Sequence, residues 1–431
     1  MKRAIEKKLL EWKQNPNRKP LVLRGARQVG KTYSINEFGK QNYSNFVRID
    51  FERDYNARKI FDGDLEPDKL FDRICIEKKV SGTLENTLIF FDEVQVCPRA
   101  LLSLRYFHED VSNANVIAAG SQLEFTLSEN SFPVGRVEFI WMYPMTFVEF
   151  LMAGGQGRLL EHIPSLDAEE AVDAFIHGKL LEELKKYFIV GGMPEAVKTY
   201  CTTGSFAEVR TVQSNLCNSY IDDFYKYNAK IDRFLLETVF RKVPLLAGSH
   251  IKYSNLVDGV RNEKVRQVFS VLQKALIAYS ITASNGNQPL SVSSNQRIFK
   301  TVFIDIGLMQ YLCDVPVSET LECGDLAECW HGTLAEQFVG QQLVSNSFEY
   351  PVLYFWNRFK PGSLAELDYL VSRKGTLLPI EVKSGSSGSL KSMHQFLKTF
   401  PEIPKGYIFS QRNISEIKEQ RLKFIPLYSS V

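Results

Sequence analysis

The sequence predicts an α/β protein in four parts: a core of parallel strands, a helical region, a winged-helix segment and a second, smaller α/β domain. Three observations carry this. Short apolar runs at 21–24, 46–51, 88–91 and 116–119 alternate with helix-periodic stretches, the pattern of a parallel sheet. From about residue 166 the apolar spacing becomes purely helical. After about residue 325 the order is helix, three strands, helix, strand.

The first part is expected over 1–150. Leu21 to Arg24 reads as a buried strand that runs into a glycine-rich turn. The second part, 151–230, is expected as a helical lid. Leu180, Leu181, Leu184, Tyr187 and Phe188 recur at helical spacing until Gly191-Gly192-Met193-Pro194 breaks the run, and another helix is expected from Phe206 to Tyr227. The third part, 231–320, reads as a winged helix. Its second helix carries Val265, Val268, Phe269, Leu272 and Leu276 on one face, and strands at 277–282 and 297–304 flank a wing tip at Asn285-Gly286-Asn287. The last part, 321–431, has a helix at 332–345, strands near 352–356, 366–372 and 376–383, a helix at 389–399 and a strand at 406–410.

A chain of 431 residues with 44% hydrophobic content has room for about three such cores. A formal net charge of +2 argues for no particular partner. The basic residues near the start, from Lys2 and Arg3 to Arg27, read as the solvated face of an amphipathic first helix. Seven cysteines without a C-x-x-C pair argue against a disulfide framework and for a reduced, cytoplasmic setting. Cys323, Cys329 and His331 match no zinc spacing. No secretory leader and no run of about 18 apolar residues is apparent, so no membrane association is expected.

Residues 25–32 read Gly25-Ala26-Arg27-Gln28-Val29-Gly30-Lys31-Thr32, a complete G-x-x-x-x-G-K-[ST] loop between an apolar strand and a helix. Glycines let successive backbone N–H groups face phosphate oxygens. Lys31 brings a point charge to the β- and γ-phosphates, Thr32 a hydroxyl for Mg2+, and the helix opening at Lys31, which includes Tyr33, points its positive dipole end at the same place. ATP and Mg2+ are therefore the expected ligands. Leu88 to Phe91 then ends in Asp92-Glu93: Asp92 is expected to hold the metal and Glu93 to orient and deprotonate the attacking water. Ser121, after the strand 116–119, is the candidate sensor of the γ-phosphate or that water, with a plain turn as the alternative. Arg136 is the candidate for stabilising transition-state charge, in cis or in trans, with a surface arginine as the alternative.

These residues resemble the AAA-type ATPases of the P-loop class. With DEVQ (92–95), GR (135–136), YPMTFVEFL (143–151) and GGMPEA (191–196), the chain resembles a bacterial and archaeal ATPase family whose C-terminal domain is related to restriction-endonuclease folds. The resemblance covers nearly the whole chain and leaves open whether it forms a homo-oligomer.

In the last part, Asp368 lies in one strand, and Glu381 and Lys383 lie two apart in the next, on one face. A hairpin about Lys374 brings Asp368 nearly opposite Glu381. This constellation resembles the PD-(D/E)xK nuclease fold, with Leu367 where a proline often precedes the aspartate. The resemblance implies Mg2+ held by Asp368 and Glu381, with Lys383 orienting the nucleophile. Glu336 fits the further acid such folds take from their first helix. A surface hairpin with scattered charges, or a nuclease-like fold kept only for binding, are the alternatives. Arg261, Lys264, Arg266 and Lys274, interleaved with Asp258 and Glu263, make a candidate DNA-contacting helix. The sequence thus points to an ATP-driven protein acting on DNA, by remodelling or cleavage. The alternative is a nucleotide-switched scaffold that binds a protein partner and cuts nothing.

Overall fold

The computed structural model describes residues 1–430 apart from 112, 122, 124–134, 228–231, 327–331, 360–364, 374 and 384–389. Gln122, Cys329, His331, Lys374 and the Gly/Ser loop 384–389 thus lie outside the described residues. The chain divides into two compact units, Met1–Tyr143 with Phe348–Tyr350, and Pro144–Ser347 with Pro351–Val431. Helices of seven residues or more are numbered below.

The first unit contains α1 (Ile5–Gln14), β1 (Leu21–Arg24), α2 (Lys31–Asn42), β2 (Asn45–Asp50), α3 (Pro67–Lys78), β3 (Thr87–Asp92), α4 (Pro98–Asp110), β4 (Val116–Ala119) and β5 (Glu138–Trp141). Its five strands form one parallel sheet in the order β2-β3-β4-β1-β5. Every residue of β3 is buried, which is why it reads as a continuous apolar run rather than an alternation. Prolines open α3 and α4 at positions where a missing N–H costs nothing. Between the sheet and these helices, Phe51, Phe61, Phe91 and Phe107 meet at centroid separations of 5.3 to 6.4 Å. Strand β5 was not among the expected strands. Its four residues are only partly buried up to Trp141, so they carry no apolar run.

The second unit contains α5 (Phe147–Ala153), α6 (Ala174–Val190), α7 (Pro194–Thr203), α8 (Phe206–Tyr227), α9 (Arg233–Lys242), α10 (Asn262–Lys274), β6 (Ala278–Ser284), β7 (Ser294–Phe303), α11 (Ile306–Leu312), α12 (Thr333–Ser345), β8 (Leu353–Asn357), β9 (Glu366–Arg373), β10 (Thr376–Val382), α13 (Lys391–Thr399), β11 (Gly406–Ser410), β12 (Ser415–Ile417) and β13 (Leu422–Pro426). One mixed sheet runs β12-β13-β11-β10-β9-β8-β6-β7.

Here the structure corrects an expectation. The hairpin β6–β7, read as the wing of a separate winged helix, is two strands of this large sheet, because β6 pairs in parallel with β8 from Ile281↔Leu353 to Ser284↔Trp356. A free hairpin would leave the edge of β6 unpaired, and β8 satisfies it.

The two segments YPMTFVEFL and GGMPEA meet in a buried joint of this unit. Met145 N–H donates to Gly192 O at 2.6 Å, and Tyr187 Oη donates to Met145 O at 2.6 Å. Gly192 N–H donates to Asp305 Oδ2 at 2.6 Å, and Asp305 also caps α11 by accepting from Leu308 N–H. From α12, Gln337 bonds both backbone groups of Phe303, Gln341 donates to Asp305, and Gln342 accepts from Phe147 N–H. A complete capping box between Thr146 and Glu149 opens α5.

Among the described residues no helix is long and apolar enough to cross a membrane. Cys75, Cys97, Cys201, Cys217 and Cys313 are free thiols. Cys323 is disulfide-bonded, where the sequence argued only against a disulfide framework.

Candidate functional site

The loop 25–30 leaves the C-terminal end of β1 and delivers Lys31 to the first turn of α2. Three of its residues have positive φ: Gly25 at 152°, Gln28 at 64° and Gly30 at 99°. A Cβ on Gly25 would lie 2.2 Å from Met142 O, so no larger residue fits there. No side chain caps the N-terminus of α2, which leaves its backbone donors facing the loop. Lys31 is buried, and its Nζ donates to Gly25 O at 2.8 Å and Ala26 O at 2.7 Å. Burial brings its ammonium down to about 8, against the pull of Glu93 and Asp92.

Thr32 Oγ1 donates to Asp92 Oδ1 at 3.1 Å, joining the start of α2 to the end of β3. Asp92 is almost wholly buried, and burial raises its carboxyl while Arg48 pulls it back down. Arg48, from β2, donates Nε to Asp92 Oδ2 at 2.9 Å and holds Asp50 at 2.7 Å. Glu93 follows in the left-handed region at φ 50°, ψ 45°, a conformation costing about 1–2 kcal/mol for a residue with a Cβ. Gln95 Nε2 donates to its Oε2 at 2.7 Å, and Ser121 Oγ reaches the same oxygen at 3.5 Å.

The structure therefore brings Lys31, Thr32, Asp92, Glu93 and Ser121 together at one end of the sheet. Tyr33 lies beside them, half exposed, its hydroxyl accepting from the Met1 amine. Arg136 is elsewhere. It precedes β5, whose Glu138 pairs with Leu21 at the start of β1, and it binds Glu109 in the last turn of α4 at 2.9 Å. Gly25 lies beyond the far end of β1, about 13 Å on at the strand rise. The structure therefore does not bring Arg136 to the nucleotide end of the sheet, and its observed partner is Glu109.

Three contacts escaped the sequence reading. Arg48 sits in a strand run with nothing to mark a contact, and Gln95, although part of the DEVQ segment, is given no role by it. Arg3, expected on a solvated face, is buried and donates to Val29 O at 2.7 Å and Tyr143 O at 2.8 Å, bracing the phosphate loop. Thr32 and Asp92 offer hard oxygens 3.1 Å apart beside an uncapped helix start, a donor set that fits Mg2+ next to a nucleotide.

In the second unit, β9 and β10 pair from Thr376↔Arg373 to Ile380↔Tyr369, a register that carries Asp368 to the level of Glu381. Helix α12 lies close on this sheet, because a Cβ at Gly340 would meet Tyr369 Oη at 2.4 Å, and Tyr369 Oη donates to Glu336 O. The acids expected to hold a metal already have a cation. Lys300 of β7 is 3% exposed, and its Nζ lies 2.6 Å from Glu366 Oε1, 3.3 Å from Glu336 Oε1 and 3.8 Å from Asp368 Oδ1. Asp368 Oδ2 accepts from Val382 N–H at 2.7 Å, and Glu366 Oε2 bonds His250 Nε2 at 2.7 Å. Lys383 pairs with Glu381 Oε1 at 2.8 Å, whereas Glu381 Oε2 is buried with no hydrogen-bond partner. Burial raises Glu336 to about 7 and, with Asp368 beside it, Glu381 to about 8.

Among the described residues no three His, Cys, Asp or Glu side chains are grouped to hold a metal ion. The expected Mg2+ ligands Glu336, Asp368 and Glu381 thus do not fit a resident divalent ion. The reason is Lys300, which lies far from the motif in sequence and reaches it only because β6–β7 joins the same sheet.

Comparison with known sequences agrees with the first geometry. An AAA domain family matches residues 17–151. The chain carries an ATP-binding, AAA-type P-loop domain. Two domain families of unknown function, DUF8612 and DUF4143, match residues 181–319 and 331–429. No curated protein matches. Among solved structures, the Orc1 protein of Aeropyrum pernix in complex with DNA is similar at 12% identity, over 74% of this chain and 94% of that one, with a TM-score of 0.33. The RuvB Holliday junction branch migration motor of Thermotoga maritima is similar at 14% identity, over 64% and 88%, with a TM-score of 0.31. At such TM-scores neither likeness carries weight for this chain.

Proposed function

We propose that the protein hydrolyses Mg-ATP at the phosphate loop and couples turnover to binding or remodelling DNA. The observation that carries the first half is the convergence of Lys31, the Thr32–Asp92 pair and the Glu93–Ser121 pair at the open end of β1 and β3. Thr32 and Asp92 would hold Mg2+, which neutralises charge on the phosphate oxygens. Lys31 gives up its two loop carbonyls to meet phosphate. Glu93 Oε2 takes the proton of the attacking water, and Gln95 and Ser121 keep that carboxylate aimed.

The second half is supported by α10. Its apolar face, Val265, Val268, Phe269 and Leu272, is buried, while Arg261, Lys264, Arg266 and Lys274 are exposed along the other side. A helix so divided can lay its basic side on phosphates, although Glu263 is exposed beside them.

Cleavage by the C-terminal domain is the second reading. The hairpin register and the orphaned Glu381 Oε2 favour it, and Lys300 counts against it. One experiment separates the outcomes: ATP hydrolysis titrated with single-stranded, duplex and branched DNA, with gels of the same reactions. Stimulation by one DNA form with intact strands is expected. Bands that vanish in Asp368→Ala would establish cleavage. Rates indifferent to every DNA form would replace DNA with a protein partner.

A further inference from the structure

The charge arrangement around Lys300 differs from what the signature of its domain implies. A metal-dependent nuclease gathers carboxylates around an ion drawn from solvent. Here three carboxylates, Glu336 on α12 and Glu366 and Asp368 on β9, each place an oxygen within 3.8 Å of one ammonium. A lysine ammonium has three protons and no acceptor; Glu366 and Glu336 lie within hydrogen-bond distance of it, and Asp368 at 3.8 Å adds a third negative charge. The seat is built. Lys300 pairs with Ile281 inside the β6–β7 ladder, its Nζ lies 5.2 Å from the ring centroid of Phe355, and it is 3% exposed. The other acid, Glu381, is served by Lys383. A buried ammonium is stable only when so surrounded, and buried carboxylates only when so neutralised.

We propose that Lys300 is the resident cation of this pocket, occupying the place of a divalent ion, and that the pocket accepts such an ion only when the lysine charge is removed. The lysine and the acids belong to different sequence segments, 181–319 and 331–429, so neither segment read alone reveals the substitution. The lysine fixes the β6–β7 hairpin to the carboxylate-bearing strands, and the domain holds its cluster without metal. This goes beyond the ATPase reading and does not depend on it.

The test is Mn2+ binding to the metal-stripped, nucleotide-free full chain, followed by electron paramagnetic resonance of free Mn2+. Wild type and Asp368→Asn should bind equally, since any weak site at Thr32 and Asp92 is common to both. Lys300→Met should gain one Mn2+ site, at least tenfold tighter than any in wild type, and Lys300→Met/Asp368→Asn should lose it. Mn2+ should also raise the melting temperature of Lys300→Met by more than it raises that of wild type. A wild-type site abolished by Asp368→Asn overturns the proposal, and so does a folded Lys300→Met that gains nothing. If Lys300→Met does not fold, the comparison of wild type with Asp368→Asn still decides.

Discussion

Arg48 shows how much one unmarked side chain can govern at this nucleotide site. Asp92 is buried, and burial alone drives its carboxyl upward; the guanidinium beside it is the largest influence in the other direction. Arg48 thus favours the ionised form that an aspartate needs to hold Mg2+, against the burial that opposes it. Arg48→Ala should lower turnover several-fold at pH 6 and less at pH 8, because a higher Asp92 pKa moves the acid limb of the rate profile to more alkaline pH. An unshifted profile would make Arg48 a structural residue only. Lys31 has the more direct role. Lys31→Ala removes a charge aimed at the phosphates, and turnover should fall by about 10²–10³. At this scale the sequence was clear wherever the motif fixes the chemistry, as in Gly25, Lys31, Thr32, Asp92 and Glu93. It was silent where a contact crosses strands, as with Arg48 and Lys300, because spacing along the chain says nothing about which side chains meet across a sheet.

Among elements, the hairpin β9–β10 is the most informative. Its position and register follow from two alternating runs around a short turn, and they were legible because a buried face fixes register. What the hairpin holds was not legible, since the cation comes from β7. The buried acids on it give a stability signature. Glu381 is held at about 8 when folded, against an ordinary value of 4.5. Between those values the unfolded chain is ionised while the folded chain keeps its proton, so the unfolded state binds fewer protons and stability falls as pH rises. The melting temperature of wild type should decline from pH 5 to pH 8, and Glu381→Gln should decline less and be the more stable protein at pH 8. Calorimetry across that range decides it; parallel declines in the two proteins would mean that Glu381 ionises normally. The β6–β7 strands were legible as strands but not as members of this sheet, because pairing partners of an edge are set by the whole fold.

For the molecule as a whole, the segments that make the chain resemble an ATPase family divide in purpose. The loop at 25–32 and the acids at 92 and 93 make chemistry in the first unit. The segments around Met145 and Gly192 make architecture in the second, where both meet Asp305. That carboxyl is fully buried, and burial lifts it to about 6 against the N–H donors of Gly192 and Leu308. Asp305→Ala strands those donors and should destabilise the protein by about 3 kcal/mol in urea unfolding. A loss under about 1 kcal/mol would mean that water replaces the carboxylate. The α/β class and the order of elements could be read from periodicity. The division into two units, with strands of the third expected part merged into the sheet of the fourth, depends on long-range pairing that periodicity does not encode.

The central claim is that Glu93 activates water at a site that binds Mg-ATP through Lys31, Thr32 and Asp92. The most direct test is ATP binding and turnover measured side by side in wild type and Glu93→Gln. The glutamine keeps the shape and the contact to Gln95 but cannot take a proton, so turnover should fall by about 10²–10⁴ while ATP binds at least as tightly. Undiminished hydrolysis in Glu93→Gln, or a wild type that neither binds nor turns over ATP, would contradict the account.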